Sequence, residues 1–217
     1  MSTFKYIIVG AGAAGLHLTL AMLRKNLLNS DKLLIIEPSL KKENDKTWCF
    51  WEEEQGAFDS IVHKEWGTAQ FFSKSLHLEF DLSPLRYKML RSQPFYKAIY
   101  DRVKKTKNIK LLQTQILDLQ SKGTVTQVIT SEETYESTRV ITSLYDHNAL
   151  FQQKKYPVLQ QHFMGWFIET PKACFDPTKI LFMDFISLKI RKPVFYMFCL
   201  LMKHTPCLNT LFFLRKS

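Results

Sequence analysis

The sequence of 217 residues is 46% hydrophobic and 13% aromatic, and its formal net charge is +10. This length allows one domain with a hydrophobic core, or one domain and part of another, and the aromatic content argues against disorder. No segment reaches the ~20 apolar residues that a membrane-spanning helix needs. All 20 acidic residues lie at or before Asp184, so the last 33 residues carry much of the excess positive charge. This distribution, with no interleaved basic and aromatic pattern on a sheet, argues against nucleic-acid binding.

The N-terminal segment predicts a strand, a helix and a second strand. Tyr6–Val9 is a short apolar run bounded by glycine, which is typical of a buried parallel strand. Leucines then recur at helical spacing from Leu16 to Leu27, and a second apolar run ends at Glu37. We expect no signal peptide before this unit, because residues 1–5 lead straight into a strand-like run. The four cysteines form no CxxC pair and have no histidine at metal spacing, so we expect reduced cytoplasmic thiols and no metal site.

A glycine-rich turn joins the first strand to the helix, and it reads Gly10-Ala-Gly12-Ala13-Ala14-Gly15. The first glycine allows the tight turn, the second lets the backbone approach a pyrophosphate, and the third lets the helix pack on the strand. The start of the helix offers unpaired N–H groups and the positive end of its dipole to the phosphates. Glu37 then ends the next strand, where it can bond a ribose hydroxyl and would repel a 2′-phosphate. We therefore predict a dinucleotide site, and the position of the unit at the N-terminus with the later element order favours FAD over NAD.

The rest of the chain predicts a mixture of strands and one helix. Residues 39–66 read as irregular, and a hairpin is expected at 70–80 around Ser73-Lys74-Ser75. Ser92 is predicted to cap a helix whose buried face carries Phe95, Ile99 and Val103. Further strands are expected at 109–112, 125–129, 135–141 and 164–170. Beyond Phe185 the sequence has no alternation that would support a strand.

Three further blocks carry a family resemblance. Residues 45–51 read D-K-T-W-C-F-W, residues 87–96 read YKMLRSQPFY, and blocks containing Gly165-Trp166 and Met183-Asp184 follow. Together with the glycine turn, they resemble the bacterial lycopene β-cyclase family over residues 1–185. In that family a D-[RK]-T-W-C-F-W segment follows the dinucleotide unit, and residues 87–96 correspond to the start of a central helix.

The resemblance implies an α/β fold, with a Rossmann-like FAD/NAD(P)-binding domain and an incomplete antiparallel-sheet substrate domain. Residues 1–150 would form the binding domain, with part of the substrate region inserted at about 47–92. Residues 151–185 would begin the substrate domain, and 186–217 would be a tail read out of frame.

The resemblance also implies an activity, the redox-neutral conversion of the ends of lycopene into β-ionone rings, giving β-carotene. A carboxylic acid protonates a terminal double bond, a ring closes on the cation, and a proton is lost. Reduced FAD would stabilise the cation, and NADPH would keep the flavin reduced. The candidate substrate-region residues are Trp48, Phe50, Trp51, Trp166 and Asp184. Because lycopene resides in the bilayer, the enzyme is expected to be cytoplasmic and peripheral on the inner membrane face.

The sequence departs from the family at its catalytic acid. The family places a glutamate two residues before a threonine, after an aromatic run, and neither block appears after Phe185. A shifted frame reads the third base of each codon with the first two bases of the next codon. In that frame Met197-Phe198 gives valine, Met202-Lys203 gives glutamate, and residues 208–211 can give Glu-Tyr-Thr. We therefore predict a one-nucleotide slip between about 185 and 192, which leaves the catalytic residue of this chain unknown and the chain inactive as a cyclase.

Two other readings stay open from the sequence. A flavin-dependent monooxygenase or other oxidoreductase would share the glycine turn and Glu37, and would differ by consuming NADPH and oxygen. A non-catalytic FAD-binding remnant would retain the nucleotide site alone. The aromatic residues Trp48, Phe50 and Trp51 could instead be core residues, which is the more common role of such side chains.

Overall fold

A computed structural model describes residues 2–28, 30–145, 147–156, 158 and 176–185, together with the backbone of 196–198. The elements in chain order are β1 (Ser2–Val9), α1 (Ala13–Arg24), β2 (Leu33–Ile36), β3 (Thr47–Glu53), a 3₁₀ turn (Asp59–Ile61), β4 (Lys64–Trp66), β5 (Thr68–Phe72), β6 (His77–Asp81), β7 (Leu85–Arg91), α2 (Ser92–Lys104), β8 (Ile109–Leu112), β9 (Ile116–Lys122), β10 (Val125–Thr130), β11 (Thr134–Thr142), α3 (His147–Gln152), β12 (Lys179–Asp184) and β13 (Tyr196–Phe198). The chain divides into two compact units, of which the first comprises 1–46 and 92–149 and the second 47–91 and 150–217.

The first unit is built on a six-stranded sheet in the order β8-β2-β1-β11-β10-β9. Strands β8, β2, β1 and β11 run parallel, and β10 and β9 continue from β11 as an antiparallel meander. All four residues of β2 are buried, as expected for a strand covered on both faces. Because the parallel strands end at one edge of the sheet, Gly10, Glu37, Gln113 and Ser143 follow strand ends at that same edge.

Helix α2 buries the face that the sequence predicts. Phe95, Ile99 and Val103 are each at most 1% exposed. The predicted N-cap is wrong, because Ser92 is already the first helical residue and its hydroxyl bonds the Asp45 carboxylate. The side-chain oxygen of Asn44 instead accepts the Gln93 N–H at 3.1 Å, so a side chain from the preceding segment satisfies this helix end.

The described residues of the second unit form two sheets, one of order β3-β7-β4 and one of order β13-β12-β5-β6. The first is antiparallel throughout, whereas β12 runs parallel to β5, so the second sheet is mixed and not purely antiparallel as expected. A core of Trp66, Ala69, Leu82, Tyr87, Met89 and Ile180 holds the residues of these sheets together, with Cys49 and Phe182 packed against it.

Two sequence expectations about this region are corrected. Residues 39–66 are not irregular, since they contain β3, the 3₁₀ turn and β4. Residues 87–91 end strand β7, and the central helix begins at Ser92, within the block 87–96 that the resemblance assigns to its start. Within the tail, the described residues Tyr196–Phe198 form a short strand, which pairs with β12 through the backbone and therefore needs no alternating pattern. The predicted strand at 164–170 lies outside the described residues.

The predicted hairpin is confirmed as β5 and β6, and the strands expected at 109–112, 125–129 and 135–141 are confirmed as β8, β10 and β11. Among the residues that the structure describes, no helix combines the length and apolar character required to cross a membrane.

Candidate dinucleotide site

The glycine turn closes tightly over the end of β1. The Gly10 N–H donates to the Ile36 carbonyl at 2.8 Å, and Gly10 has a φ of +102°, which favours glycine. A Cβ at Gly10 would also lie 2.6 Å from the Ser143 hydroxyl, at the end of β11. The turn therefore requires glycine at this position for both its backbone conformation and its space.

Gly15 and Gly12 differ in what surrounds them. A Cβ at Gly15 would lie 2.1 Å from the Gly10 carbonyl oxygen and 3.1 Å from Ile8 Cγ2, so α1 packs directly on the turn and on β1. A Cβ at Gly12 would have no atom within 4 Å. The fold thus needs glycine at 15 for its own packing, whereas the bare backbone at 12 faces open space that a ligand can occupy.

The start of α1 is suited to an anion. Gly12 precedes the helix without a side-chain cap, and the first turn contains no acidic residue. The N–H groups of the first turn, which includes the predicted ligand residues Ala13 and Ala14, point away from the helix body, and the dipole adds positive potential. This end of α1 therefore has the donors and the charge that a pyrophosphate requires.

Glu37 is bonded to the glycine turn. Its Oε2 accepts the Ala11 N–H at 2.9 Å, and its Oε1 accepts the Ser39 N–H at 3.0 Å and the Ser39 hydroxyl at 2.9 Å. The Lys41 ammonium lies 3.8 Å from Oε1. The structure thus brings the predicted ribose acceptor against the turn that is predicted to hold the phosphates.

A cavity of about 510 Å³ opens beside Glu37 at this edge of the sheet. Its lining comprises Glu37, Ser39, Leu40, Lys41, Lys42, Gln93, Lys97, Tyr100, Asp101, Lys104, Leu111 and Gln113. Sequence reasoning missed most of these residues. The available signal was the polar stripe of α2, where Gln93, Lys97, Tyr100 and Lys104 recur at helical spacing opposite the buried stripe.

Burial, with a smaller contribution from nearby carboxylates, keeps the tyrosines on α2 protonated. Burial raises the pKa of Tyr100 to about 12, with a further contribution from the negative charges of Glu37 and Asp45. Burial and a hydrogen bond to Asp45 raise the pKa of Tyr96 well above its usual value. Burial acts to raise the pKa of Asp45, but hydrogen bonds from Ser92 and Tyr96 outweigh it and leave that pKa below its usual value. Both phenols are therefore neutral and Asp45 is ionised near pH 7.

In the second unit, the aromatic residues of β3 divide between two faces. Successive strand residues point to opposite sides, so Trp51 lies on one face and Trp48 and Phe50 on the other. The Trp51 ring lies 4.6 Å from the Tyr87 ring and 5.5 Å from the Phe182 ring, and the residue is 42% exposed. The structure therefore places Trp51 at the exposed margin of the core that contains Tyr87, on the face of β3 opposite to Trp48 and Phe50.

The other substrate-region candidates fall at different places. Asp184 is the last residue of β12, where it pairs with Phe72 of β5 and is partly buried. Trp166 lies outside the described residues.

The opposite face of β7 carries a buried lysine that the sequence analysis did not single out. The Lys88 side chain is 1% exposed, and its Nζ donates to Asp59 at 2.6 Å, Glu52 at 3.0 Å and the Glu54 carbonyl at 3.0 Å. Burial acts to lower the pKa of Lys88, but the hydrogen bonds to Asp59 and Glu52 leave it above its usual value. The signal in the sequence was a lysine inside the apolar run Tyr87–Leu90.

Replacing this lysine is expected to destabilise the chain. Lys88→Met removes three charge-assisted hydrogen bonds, and we expect the free energy of unfolding to fall by about 2 kcal/mol. The control Lys179→Met breaks only the pair with Glu79, in which both side chains are partly exposed, and should cost less than about 1 kcal/mol. Urea unfolding of both variants provides the comparison, and equal losses would contradict a special role for Lys88.

The same cluster predicts a pH dependence. The Lys88 hydrogen bond holds the pKa of Asp59 below the usual value of 3.8. The contribution of the Lys88–Asp59 pair to the free energy of unfolding is therefore complete above pH 3.8, and it is lost as the pH falls through the lowered pKa of Asp59. Lys88→Met should lose this part of the acid sensitivity.

The comparisons with known proteins decide the family. A family model described as "Lycopene cyclase protein" matches residues 6–208. The chain belongs to the lycopene cyclase family. The predicted family resemblance is thereby confirmed. The match extends beyond residue 185 into the tail for which the sequence predicts a shifted frame, and that frame stays a prediction that the nucleotide sequence can test.

Solved structures show the fold of this family member. A probable FAD-dependent monooxygenase from Pseudomonas aeruginosa is 11% identical with a TM-score of 0.64, covering 99% of this chain and 61% of its own. The 2,6-dihydroxypyridine-3-hydroxylase from Arthrobacter nicotinovorans is 13% identical with a TM-score of 0.64, and the match covers 98% of this chain and 56% of the hydroxylase. A halogenase solved with phloroglucinol and FAD is 12% identical with a TM-score of 0.64, and the match covers 97% of this chain and 51% of the halogenase. No curated protein matches the chain.

These similarities confirm the predicted α/β fold with a Rossmann-like binding domain. The chain spans between about half and three fifths of the length of these solved proteins.

Proposed function

We propose that this chain carries the FAD site of a lycopene β-cyclase, which converts the ends of lycopene into β-ionone rings without net oxidation or reduction. The observation that carries the proposal is the glycine turn, with open space at Gly12 and with Glu37 bonded to Ala11, in a chain of the lycopene cyclase family. The FAD-dependent proteins of similar fold support the choice of FAD as the dinucleotide.

The residues of the first unit fit an adenine dinucleotide. The backbone at Gly12 and the N–H groups of Ala13 and Ala14 would hold the pyrophosphate, and Glu37 would accept the ribose hydroxyls. The cavity beside Glu37 would take the adenosine end, with Leu40 and Leu111 as its apolar walls. Bound reduced FAD would supply an electron-rich ring that stabilises the positive charge formed on protonated lycopene, and NADPH would keep it reduced.

In the second unit, the exposed ring of Trp51 is a candidate contact for the polyene. Trp51, Tyr87 and Phe182 contact one another, and the face of an electron-rich ring attracts a developing cation. We therefore assign Trp51 to substrate contact in preference to Trp48 and Phe50, which lie on the other face of β3. Since lycopene partitions into hydrocarbon, we propose that the protein docks on the cytoplasmic surface of the inner membrane.

The proposal retains the shifted reading frame. The catalytic glutamate would be encoded in the alternative frame of residues 208–211, so this 217-residue chain would lack the acid that protonates lycopene. We expect no β-carotene when this chain is expressed in lycopene-accumulating cells, and β-carotene when a one-nucleotide change restores the alternative frame. If the 217-residue chain made β-carotene, the expected inactivity would be contradicted. If the gene with the restored frame made no β-carotene, the proposed reaction would be contradicted.

A flavin-dependent monooxygenase is the second candidate, because proteins of this class share the fold. The two functions differ in stoichiometry. A cyclase isomerises its substrate with no net use of NADPH or oxygen, whereas a monooxygenase consumes one of each per turnover. Oxygen uptake that matches product formation by the frame-restored protein would decide for the monooxygenase.

A further inference from the structure

Lys41 is shared between two carboxylates at the edge of the first unit. Its ammonium lies 3.8 Å from Glu37 Oε1 and 3.7 Å from Asp45 Oδ2, beyond hydrogen-bonding distance of either. The ammonium also lies over the Tyr96 ring, 5.6 Å from its centre. The side chain is 17% exposed, and the residue has a φ of +48°, so backbone strain accompanies its placement.

Asp45 is fixed independently of this lysine. Its Oδ1 accepts the Ser92 hydroxyl at 2.8 Å, and it is also hydrogen-bonded to Tyr96. The Ser92 hydroxyl in turn accepts the Lys46 N–H at 3.1 Å, and Ser92 is fully buried. The start of α2 therefore holds the Asp45 carboxylate in place whether or not Lys41 is present.

Glu37 has little remaining capacity to accept hydrogen bonds. A carboxylate offers about four acceptor positions. Ser39 fills two on Oε1 and Ala11 fills one on Oε2. The remaining position is therefore on Oε2, and a lysine ammonium that moved from beside Oε1 onto Oε2 would compete with a ribose for it.

We propose that Asp45 is a positioning residue that holds Lys41 away from Glu37 and thereby keeps the Glu37 carboxylate available to the ribose of the dinucleotide. The inference rests on the proposed function for the identity of the ligand. It gives the first residue of the Asp45–Trp51 block a role at the nucleotide site. When Asp45 loses its charge, Glu37 is the carboxylate left beside Lys41, and the ammonium closes onto it.

The test is a double-mutant cycle on FAD binding by the full 217-residue chain. Asp45→Asn should raise the Kd for FAD about fivefold, the size expected from a partly exposed ion pair. In a Lys41→Met background the competing ammonium is gone, so adding Asp45→Asn should cause no further loss of FAD affinity. The Kd of the double variant should equal that of Lys41→Met, which would show that Asp45 affects FAD binding through Lys41.

Asp31→Asn is the matched control. It also removes a carboxylate paired with a lysine, Lys5 at 2.6 Å, but lies before β2, away from the nucleotide edge. Its melting temperature should fall as that of Asp45→Asn does, while its FAD affinity stays unchanged. An unchanged Kd in Asp45→Asn, or a double variant as weak as Asp45→Asn, would overturn the inference.

A second readout separates this inference from the proposed function. If the wild-type chain binds no FAD, the proposed cofactor is wrong. Crystal structures of the ligand-free wild type and Asp45→Asn then decide the positioning role. Contraction of the Lys41–Glu37 distance to about 3 Å in the variant supports it, and an unchanged distance overturns it.

Discussion

Gly15→Val is expected to abolish FAD binding and to destabilise the fold. Even the first carbon of the new side chain would lie 2.1 Å from the Gly10 carbonyl oxygen and 3.1 Å from Ile8 Cγ2, so α1 must move away from the turn. Overpacking of this kind costs about 1–3 kcal/mol, and here the movement also displaces the N–H groups that would hold the pyrophosphate. The melting temperature and the FAD titration of the purified variant measure the two effects.

Gly12→Ala is the matched control for that variant. A Cβ at Gly12 meets no protein atom within 4 Å, so the melting temperature without ligand should stay close to that of the wild type. FAD affinity should nevertheless fall, because the methyl group occupies the open side of the turn. Full FAD affinity in both glycine variants would contradict the placement of the pyrophosphate.

Glu37→Ala should weaken FAD binding at least tenfold, since charge-assisted hydrogen bonds to the ribose are worth about 1.5–3 kcal/mol. The variant also leaves the Ala11 N–H and the Ser39 hydroxyl without their acceptor, which loosens the turn. FMN lacks the adenosine half and serves as the control ligand. Its weaker binding should change less than that of FAD between wild type and variant, and equal losses would remove Glu37 from the ribose site.

The nucleotide unit could be predicted because its signals are local. Gly10 and Gly15 are required by the backbone and the packing of the turn, Gly12 leaves space for a pyrophosphate, and the acid at the end of the next strand completes the pattern. The apolar stripe of α2 was likewise visible, since Phe95, Ile99 and Val103 follow the helical period.

Apart from the hairpin of β5 and β6, the strands of the second unit were harder to predict because β3, β4 and β7 show no clear alternation. Strand β3 carries aromatics on both faces, with Trp48 and Phe50 on one side and Trp51 on the other, so it resembles an irregular segment. Strand β4 has three residues, which is too short for a period to show. In β7, Lys88 interrupts the apolar run, and only the tertiary fold reveals that Glu52 and Asp59 neutralise it.

The arrangement around Lys41 also depends on tertiary structure. Glu37, Lys41 and Asp45 are each four residues apart, but no helix joins them. Their proximity results from the bonds of Asp45 to α2, whose first residue lies 47 positions further along the chain. Composition and motif spacing alone could identify Asp45 as part of a family block without indicating what it contacts.

The most direct test of the central claim is a crystal structure of this chain grown with FAD. The account predicts the pyrophosphate on the backbone at Gly12 and the N–H groups of Ala13 and Ala14, with the ribose hydroxyls on the Glu37 carboxylate and the adenine in the adjoining cavity. Density for FAD away from this edge of the sheet, or a chain that holds no FAD at saturating concentration, would contradict it.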